Sequence, residues 1–312
     1  MPVLPFRTQN RQGDTATGIG HLLDGVSLEV MPRTAAKIPD FRPLLPQDTR
    51  IYIAHVEGTP IDDMIATAHR LRGEGFTVMP HVPARLIRDR NELRTWLHRY
   101  RAEAGVTEAL VLAGGPKTPA GAFDSSIRLL ETGEFEAAGF TRLHVAGHPE
   151  GNRDIDPEGG TRLVDEALFW KQDYARSTSA EMAIVTQFAF DAGSILAWDE
   201  RLRANGVSLP VHLGIAGPAK LQTLLKFAIA CGVGPSLSVL KKRAADVTRL
   251  LRPFEPDALL SDLVTGLAQR SDSLIQRIHV FPLGGIGAAC DYVARHTART
   301  TDKADAERGS AR

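Results

Sequence analysis

One acidic residue lies inside the first apolar run of the chain. In VSLEVMP, Glu29 stands between Leu28 and Val30, and the run is typical of a buried strand. Burying an unpaired carboxylate costs on the order of several kcal/mol, so such a glutamate is either paired or protonated. Apolar surroundings raise the pKa of a carboxyl group, which can then donate a proton near neutral pH. We therefore predict that Glu29 is a general acid; pairing with an arginine inside the fold, or a shifted strand that exposes the side chain, are the alternatives.

Gln187 is the second candidate, because it ends the β-branched run in VTQFAFD. A side-chain amide provides both a donor and an acceptor, which suits a heterocycle that contains an amide, such as a pterin. A hydrogen bond to the neighbouring backbone explains the residue equally well. Phenylalanines such as Phe188, Phe190, Phe227 and Phe281 are more often core residues than stacking surfaces.

The spacing of the histidines does not predict a metal site. His55 in IAHVEG and His81 in VMPHVP have no His or Cys close in sequence, so a hydrogen-bonding role is favoured over metal ligation. His144 and His148 are four residues apart, but on a strand and its loop they would not share one helical face. We therefore assign no metal.

Eight apolar runs alternate with amphipathic segments along the chain. The runs are VSLEVMP, TRIYIAHV, FTVMPHV, EALVLAGG, TRLHVAGH, MAIVTQFAF, LPVHLGIAG and RIHVFPLGG. This alternation predicts a single (β/α)8 TIM barrel over residues 21–298, with an N-terminal extension at 1–20 and a disordered tail at 299–312. Residues 239–256 are predicted to be a helical insertion before the last strand. A doubly wound open sheet is the alternative, but its GxGxxG turn is present only incompletely, in GGIGAAC at 284–290.

The carboxyl ends of the strands, with the loops that follow them, build the active site of such a barrel. Glycine turns after the last two runs, LGIAGPAK and PLGGIGAA, could also present backbone N–H groups to a phosphate, although glycine is common in any tight turn. The polar and glycine residues at these strand ends, with one aromatic residue, are Glu29, His55, Glu57, His81, Gly114, Gly115, His148, Asn152, Gln187, Gly214 and Phe281.

The composition favours a small-molecule partner. The 312 residues carry 37 Lys+Arg and 37 Asp+Glu, so the chain lacks the basic excess that is typical of nucleic-acid-binding proteins. Cys231 and Cys290 are too far apart for a CxxC site, and this usage is typical of the reducing cytoplasm. No stretch approaches the roughly 20 apolar residues of a membrane span. We expect a soluble, cytoplasmic protein that binds neither nucleic acid nor a membrane.

Several motifs resemble the methylenetetrahydrofolate reductase family. SLEVMPRTAAK is similar to that family's SFEFFPPKT, MPHV to PHLTC, VAGHPEGN to GVAGYPEGHP, and VTQFAFD to ITQFFFD. LGIAGPAKLQTLLKFA is similar to the family's PGI…KKFA strand and helix, and HVFPLG to its HFYTLN. The resemblance covers residues 24–297, and VTQFAFD and AGHPEG are its more specific parts.

The resemblance implies a β/α barrel that reduces 5,10-methylenetetrahydrofolate to 5-methyltetrahydrofolate with NADH or NADPH, usually through FAD. By motif, Glu29 would protonate the folate so that its five-membered ring opens to an iminium, Gln187 would bind the pterin, and Phe227 would pack on the folate or the nicotinamide. The further substrate-binding residues are expected to be His81, Glu57 and Phe281. The cofactor-binding residues are expected to be Gly114, Gly115, His148, Asn152 and Arg176.

The flavin contacts of that family are altered in this chain. The family's LRGD, whose Arg and Asp contact the flavin, is LAGG here, and its VTYGAGG turn is IAHVEGT, which adds the negative charge of Glu57. The Tyr and His of its YPEGH stretch become His148 and Asn152, and its Lys before ITQ aligns with Arg176. We therefore expect NADH or NADPH to transfer hydride directly to the folate iminium, without a tightly bound FAD.

Three alternatives stay open at this point. FAD could bind through backbone groups despite the lost side chains. The chain could be a folate-binding protein or one-carbon carrier without reductase activity, although binding alone does not need a buried acid. A lyase or aldolase on the same barrel would be expected to show a Schiff-base lysine or a metal cluster at the strand ends, and the motifs predict neither.

Overall fold

The computed structural model describes residues 11–231, 240 and 253–310, and their eight parallel strands close into one barrel in chain order. The strands are β1 (Ser27–Val30), β2 (Arg50–Ile53), β3 (Thr77–Pro83), β4 (Glu108–Leu112), β5 (Arg142–Gly147), β6 (Glu181–Thr186), β7 (Val211–Ala216) and β8 (Ile275–Phe281). Pairing of β1 with β8 closes the ring. The predicted (β/α)8 barrel is confirmed, and each predicted apolar run overlaps one strand.

Helices connect the strands and cover the outside of the barrel. They are α1 (Arg11–Leu22), α2 (Pro32–Ala35), α3 (Ile61–Gly73), α4 (Arg90–Ala104), α5 (Ser126–Leu130), α6 (Glu134–Ala137), α7 (Arg162–Ala175), α8 (Ala192–Ala204), α9 (Leu221–Ala230), α10 (Asp257–Leu267) and α11 (Ile286–Ser310), with a 3-10 turn at Ala84–Leu86. Among the described helices, none combines the length and the apolar character needed to cross a membrane.

Helix extends into both predicted end segments. α1 begins at Arg11, inside the predicted N-terminal extension, and packs against α10 and α11. α11 continues to Ser310, through most of the predicted tail. The domain boundaries themselves stay a prediction. The predicted insertion at 239–256 lies outside the described residues, except for Leu240 and residues 253–256.

Short polar residues and glycine fix where helices begin and end. Asp89 caps α4 by accepting a hydrogen bond from the Glu92 N–H, and Asp191 caps α8 in the same way through Ser194. Gly105 ends α4 in the left-handed conformation, with φ 61°. These helices return the chain from the carboxyl end of one strand to the start of the next, so their first turns border the mouth of the barrel.

Strand residues alternate between two packed layers. Ile51 and Ile53 belong to the large core between strands and helices, whereas Tyr52, between them, belongs with Met79 to a separate cluster. Parallel pairing places Glu29 beside Tyr52, and Tyr52 beside Met79. Because paired residues in register point to the same face of a sheet, Glu29 lies on the inner wall of the barrel.

Charged residues close the amino end of the barrel interior. Arg50 Nε donates to Glu108 at 2.8 Å, and Arg142 Nη1 donates to the same carboxylate at 3.2 Å. Arg142 also pairs with Glu181. These residues begin β2, β4, β5 and β6, and their charges compensate each other. The base of the barrel is therefore an ion-paired layer, and the mouth lies at the opposite end.

Gly214 on β7 tests this packing. A Cβ atom there would lie 2.3 Å from the Thr186 carbonyl oxygen and 2.7 Å from the Phe281 ring. We expect Gly214→Ala to lower the free energy of unfolding by about 1–3 kcal/mol, because the barrel wall must shift to admit the methyl group. Urea titration followed by circular dichroism measures the loss. Gly73→Ala is the matched control, since no described atom lies within 4 Å of its Cβ; an equal loss in both variants would contradict the packing.

Candidate active site

Glu29 lies on the inner wall of the barrel between two histidines. Its Oε2 atom is 3.2 Å from His81 Nε2 on β3 and 3.9 Å from His279 Nε2 on β8. Both imidazole rings are buried, whereas 20% of the Glu29 side chain is exposed. A ligand in the mouth could therefore approach the carboxylate and the rings that hold it.

The two histidines determine the charge of Glu29. Burial raises the pKa of its carboxyl group, but contacts with His279 and His81 outweigh burial and lower the pKa to about 2. The prediction that Glu29 is kept protonated is therefore wrong. Its apolar neighbours in sequence, Leu28 and Val30, face the outer core, so they do not surround the carboxyl group. At neutral pH the side chain is a carboxylate.

His279 is fixed in orientation by its neighbours in the barrel. Its Nδ1 atom is hydrogen-bonded to Ser27 Oγ at 2.9 Å, and its ring meets Tyr52 and Phe281 at centroid distances of 4.5 and 4.7 Å. Burial lowers the pKa of His279, and the contact with Glu29 opposes this effect. When Ser27 donates to Nδ1, the neutral ring carries its proton on Nε2, the nitrogen nearer Glu29.

A second group of rings fills the barrel interior beside the first. The Tyr52 hydroxyl is hydrogen-bonded to His144 Nδ1 at 2.6 Å, and the His144 ring meets the His212 ring edge-on with centroids 4.7 Å apart. Burial, and then nearby positive charge that includes Arg50, lowers the pKa of His212 to about 3. Burial is also the main reason that the pKa of His144 lies well below its usual value. Both imidazoles are therefore neutral at physiological pH.

Gln187 follows β6 and borders a small cavity at the mouth. The cavity is lined by His148, Pro149, Glu150, Gly151, Gln187, Phe188, Ala189 and Cys231. Gln187 Oε1 accepts a hydrogen bond from the Phe188 N–H at 3.2 Å. Burial and the charge of Glu29 raise the pKa of the Cys231 thiol, and a hydrogen bond with Gln187 opposes them. The amide, the thiol and the carboxylate thus share one region of the mouth.

A buried lysine lies next to His148. Lys171 on α7 is 5% exposed, and its Nζ atom donates to the Ala146 carbonyl oxygen at 3.4 Å. Burial lowers the pKa of Lys171 to about 8. Burial, and then the charge of Lys171, lowers the pKa of His148 to about 4. In the described part of the chain no carboxylate pairs with Lys171, so a positive charge lacks compensation beside the mouth.

Three of the predicted substrate-binding residues lie at the rim. Phe281 ends β8 and meets Phe188 edge-on, with ring centroids 5.5 Å apart. Glu57 is exposed in the loop after β2. Phe227 is 37% exposed on α9, the helix that ends just before Cys231. None of these placements tests contact with a substrate, so their roles stay predictions.

His55 is placed by contacts within its own loop. Its Nε2 atom is hydrogen-bonded to the Thr59 carbonyl oxygen at 3.0 Å, and its ring packs on Trp96 with centroids 5.0 Å apart. This agrees with the hydrogen-bonding role predicted for His55. Among the described residues, no group of three or more His, Cys, Asp or Glu side chains is arranged to hold a metal ion.

Several predicted cofactor-binding residues shape loops at the mouth. Gly114 has φ 95°, and a Cβ atom there would lie 2.9 Å from Pro83, so the turn after β4 requires glycine. Gly115 continues this turn and has no side chain to present. Asn152 Oδ1 accepts a hydrogen bond from the Asp154 N–H at 2.8 Å and so stabilises the loop after β5.

Arg176 lies at the wrong end of the barrel for its predicted role. It follows the last residue of α7 and precedes β6, so it lies at the amino end of the strands, opposite the mouth. Its guanidinium pairs with Asp173 at 2.7 Å on the surface. The assignment of Arg176 to cofactor binding is therefore corrected: α7 carries Lys171 beside the mouth, and its last turn leads away from it.

Sequence reasoning missed several buried polar residues in and around the barrel. A signal was present for two of them, because VHL in β7 and IHV in β8 place a histidine between apolar residues, as LHV does in β5. Strand alternation then turns the histidine to the face opposite its neighbours. Lys171 had no comparable signal. The missed residues are Ser27, Tyr52, Lys171, His212 and His279.

Comparison with known proteins identifies a solved structure with a similar fold. No protein-family model matches the chain. A protein from Clostridium thermocellum that binds two copies of 5-methyl-5,6,7,8-tetrahydrofolic acid has a similar structure, with a TM-score of 0.56 and 10% sequence identity over 90% of this chain and 98% of that chain. The two proteins share a fold.

A second solved structure is less similar. The carboxyl transferase domain of Rhizobium etli pyruvate carboxylase, solved with pyruvate, gives a TM-score of 0.41 at 10% identity. The match covers 96% of this chain and 60% of that chain. At these identities the similarity concerns the fold alone.

The buried neutral histidines predict a loss of stability in acid. In the unfolded chain His212 binds a proton below pH 6.5, whereas in the folded protein it binds one only below about pH 3. The free energy of unfolding therefore falls as the pH drops through this window. Each such histidine contributes up to about 1.4 kcal/mol per pH unit. We expect His212→Leu to flatten the pH dependence of the unfolding free energy by about one proton, measured by urea titration from roughly pH 4 to pH 7. His98→Gln, exposed on α4, is the control; an unchanged slope in His212→Leu would mean that the folded protein already protonates that ring.

Proposed function

We propose that this protein reduces 5,10-methylenetetrahydrofolate to 5-methyltetrahydrofolate with hydride from NADH or NADPH. The observation that carries the proposal is the Glu29 carboxylate in contact with His81 on the inner wall, in the same region as Gln187. Opening the folate ring needs a proton on the departing nitrogen and negative charge near the iminium that forms. A histidine–carboxylate pair can supply both.

Folate as the substrate class is supported from two directions. The motifs around Glu29 and Gln187 are similar to those of methylenetetrahydrofolate reductases. The barrel also shares its fold with the Clostridium thermocellum protein that binds 5-methyl-5,6,7,8-tetrahydrofolic acid. In this chain Gln187 Oε1 accepts the Phe188 N–H, so the amide NH₂ group can donate to a pterin. We infer that the pterin lies between Gln187 and Glu29.

The buried cation at the mouth suits the anionic part of a ligand. Lys171 has no carboxylate partner in the described chain, and burial of an unpaired charge is costly. A phosphate of the nicotinamide dinucleotide would compensate this charge. His148, beside Lys171, is neutral near pH 7 because its pKa is about 4, so it could accept or donate one hydrogen bond there. We assign this corner of the mouth to the dinucleotide.

Direct hydride transfer, without FAD, is the second part of the proposal. The flavin-contacting Arg and Asp of the similar family correspond to Ala113 and Gly115, which offer no polar side chain. The nearby guanidinium of Arg85 is occupied by the Asp124 carbonyl oxygen and the Asp154 carboxylate. These residues do not fit the flavin site that the resemblance implies, so no step is routed through FAD. We also propose a cytoplasmic location, because both cysteines are free thiols.

An assay of Glu29→Gln tests the reductase proposal. With 5,10-methylenetetrahydrofolate and NADH or NADPH, the wild-type protein should oxidise the nicotinamide and form 5-methyltetrahydrofolate. Glu29→Gln should lower kcat by roughly 10²- to 10⁴-fold, because the variant lacks the carboxylate that assists proton transfer. Binding of 5-methyltetrahydrofolate, followed by calorimetry, should change little.

Glu200→Gln is the matched control, since Glu200 is exposed on α8. Folate binding by the wild-type protein without nicotinamide oxidation would contradict reductase activity and favour a carrier of one-carbon units. Equal turnover in Glu29→Gln and Glu200→Gln would remove Glu29 from the reaction.

The flavin-free part of the proposal has its own measurement. The visible absorbance spectrum of protein purified without added flavin should lack the bands of FAD. Added FAD should not raise the turnover of this protein. Stoichiometric bound flavin, or turnover that depends on FAD, would replace direct transfer by the FAD-dependent alternative.

A further inference from the structure

The Nε2 atom of His81 contacts the carboxylate of Glu29. This nitrogen lies 3.2 Å from Glu29 Oε2, and among the described residues neither it nor His279 Nε2 has an aligned hydrogen-bond partner. The His81 side chain is 10% exposed, and that of Glu29 is 20% exposed. One carboxylate oxygen and one imidazole nitrogen therefore meet at the boundary between the barrel wall and the mouth.

A proton shared by such a pair belongs on the imidazole. An ordinary imidazole is more basic than an ordinary carboxylate by about 2 pH units. The carboxylate at 3.2 Å also stabilises an imidazolium by direct charge attraction. The neutral alternative, a carboxylic acid beside an uncharged ring, loses this attraction. When the pair holds one proton, the charge-separated form, imidazolium and carboxylate, is therefore favoured.

We propose that His81 is the proton donor in the reduction and that Glu29 is its anionic partner. This inference rests on the proposed reductase function and reverses the roles that the resemblance implies. The His81 Nε2–H bond breaks and an N–H bond forms at N10 of the folate. The bond from N10 to the methylene carbon then breaks with its electron pair on N10, and N5 forms the iminium double bond.

The remaining steps deliver the hydride to the iminium and return a proton to His81. The nicotinamide delivers a hydride to the methylene carbon, which becomes the N5-methyl group, and oxidised dinucleotide leaves. His81 is neutral after its proton has been transferred, and it regains a proton from water once the mouth opens. Throughout, the Glu29 carboxylate can lie near the cationic iminium and lower the energy of its formation.

The other titratable groups around the pair are poor sources of the proton. Burial is the main effect that lowers the pKa of His279 on β8 and of His55 after β2. Burial likewise raises the pKa of Tyr52 on β2 and of the Cys231 thiol after α9, so both stay neutral and release no proton readily. His279 Nδ1 is also hydrogen-bonded to Ser27. His81 is thus the group in contact with Glu29 that is best placed to hold an exchangeable proton.

The turnover of two variants distinguishes His81 from Glu29 as the donor. His81→Gln should lower kcat at least about 100-fold, because this variant has no imidazolium to transfer a proton. Glu29→Gln should keep a residual rate that exceeds that of His81→Gln, because the imidazole that donates the proton is still present. A His81→Gln variant that turns over faster than Glu29→Gln would overturn the inference.

Chemical rescue gives a readout that a structural role would not change. In His81→Ala, added imidazole should restore part of the turnover, in proportion to its protonated fraction as the pH is varied. Binding of 5-methyltetrahydrofolate within a few-fold of wild type establishes that the variant is folded. No rescue in a variant that still binds the folate, or less than a tenfold loss of kcat in His81→Ala, would overturn the inference.

The outcomes separate this inference from the proposed function. No turnover in the wild-type protein would overturn the reductase proposal and the inference with it. Wild-type turnover together with an active His81→Gln variant would overturn the inference alone. His98→Gln on α4 is the matched control for the histidine substitution, because its ring is exposed on the outside of the barrel; it should keep the wild-type rate.

Discussion

A carboxylate on the inner wall of a barrel must have partners that offset the loss of water, and this requirement explains the arrangement around Glu29. The partners are two imidazoles, from β3 and β8, and the second is itself held by Ser27 on β1. Strands on both sides of β1 thus contribute partners to the negative charge of Glu29. The closure of the barrel, where β8 pairs with β1, brings His279 into this position.

Charged and uncharged groups lie at different depths of the barrel interior. At the base, arginines and glutamates from four strands neutralise one another. In the middle, His144 and His212 are buried and uncharged, since burial and nearby positive charge disfavour their protonation. Near the mouth, Glu29 is a partly exposed carboxylate, and Lys171 is a buried cation without a carboxylate partner among the described residues. Charge in the interior is therefore paired at the base, absent from the buried imidazoles in the middle, and partly exposed at Glu29.

Much of the fold could be predicted because each strand is a short apolar run followed by a turn, and eight such runs occur between helical segments. The placement of Glu29 and Gln187 at the carboxyl ends of their strands followed from the same pattern. The charge of Glu29 could not be predicted in this way. It depends on which residues of other strands face it, and Ser27 and His279, which meet across the closure, are 252 residues apart in sequence. The predicted role of Arg176 was wrong for a related reason. A motif gives the position of a residue in the sequence, but it does not show which end of the helix lies near the site.

The hydrogen bond between Tyr52 and His144 also constrains how this sequence can change. A phenylalanine in place of Tyr52 would leave His144 Nδ1 without its hydrogen-bond partner, and a leucine in place of His144 would leave a buried hydroxyl without its partner. Either step alone is costly, whereas an apolar pair introduced together could fill the same space. Related barrels are therefore expected to exchange these two residues jointly, so these positions on β2 and β5 should covary.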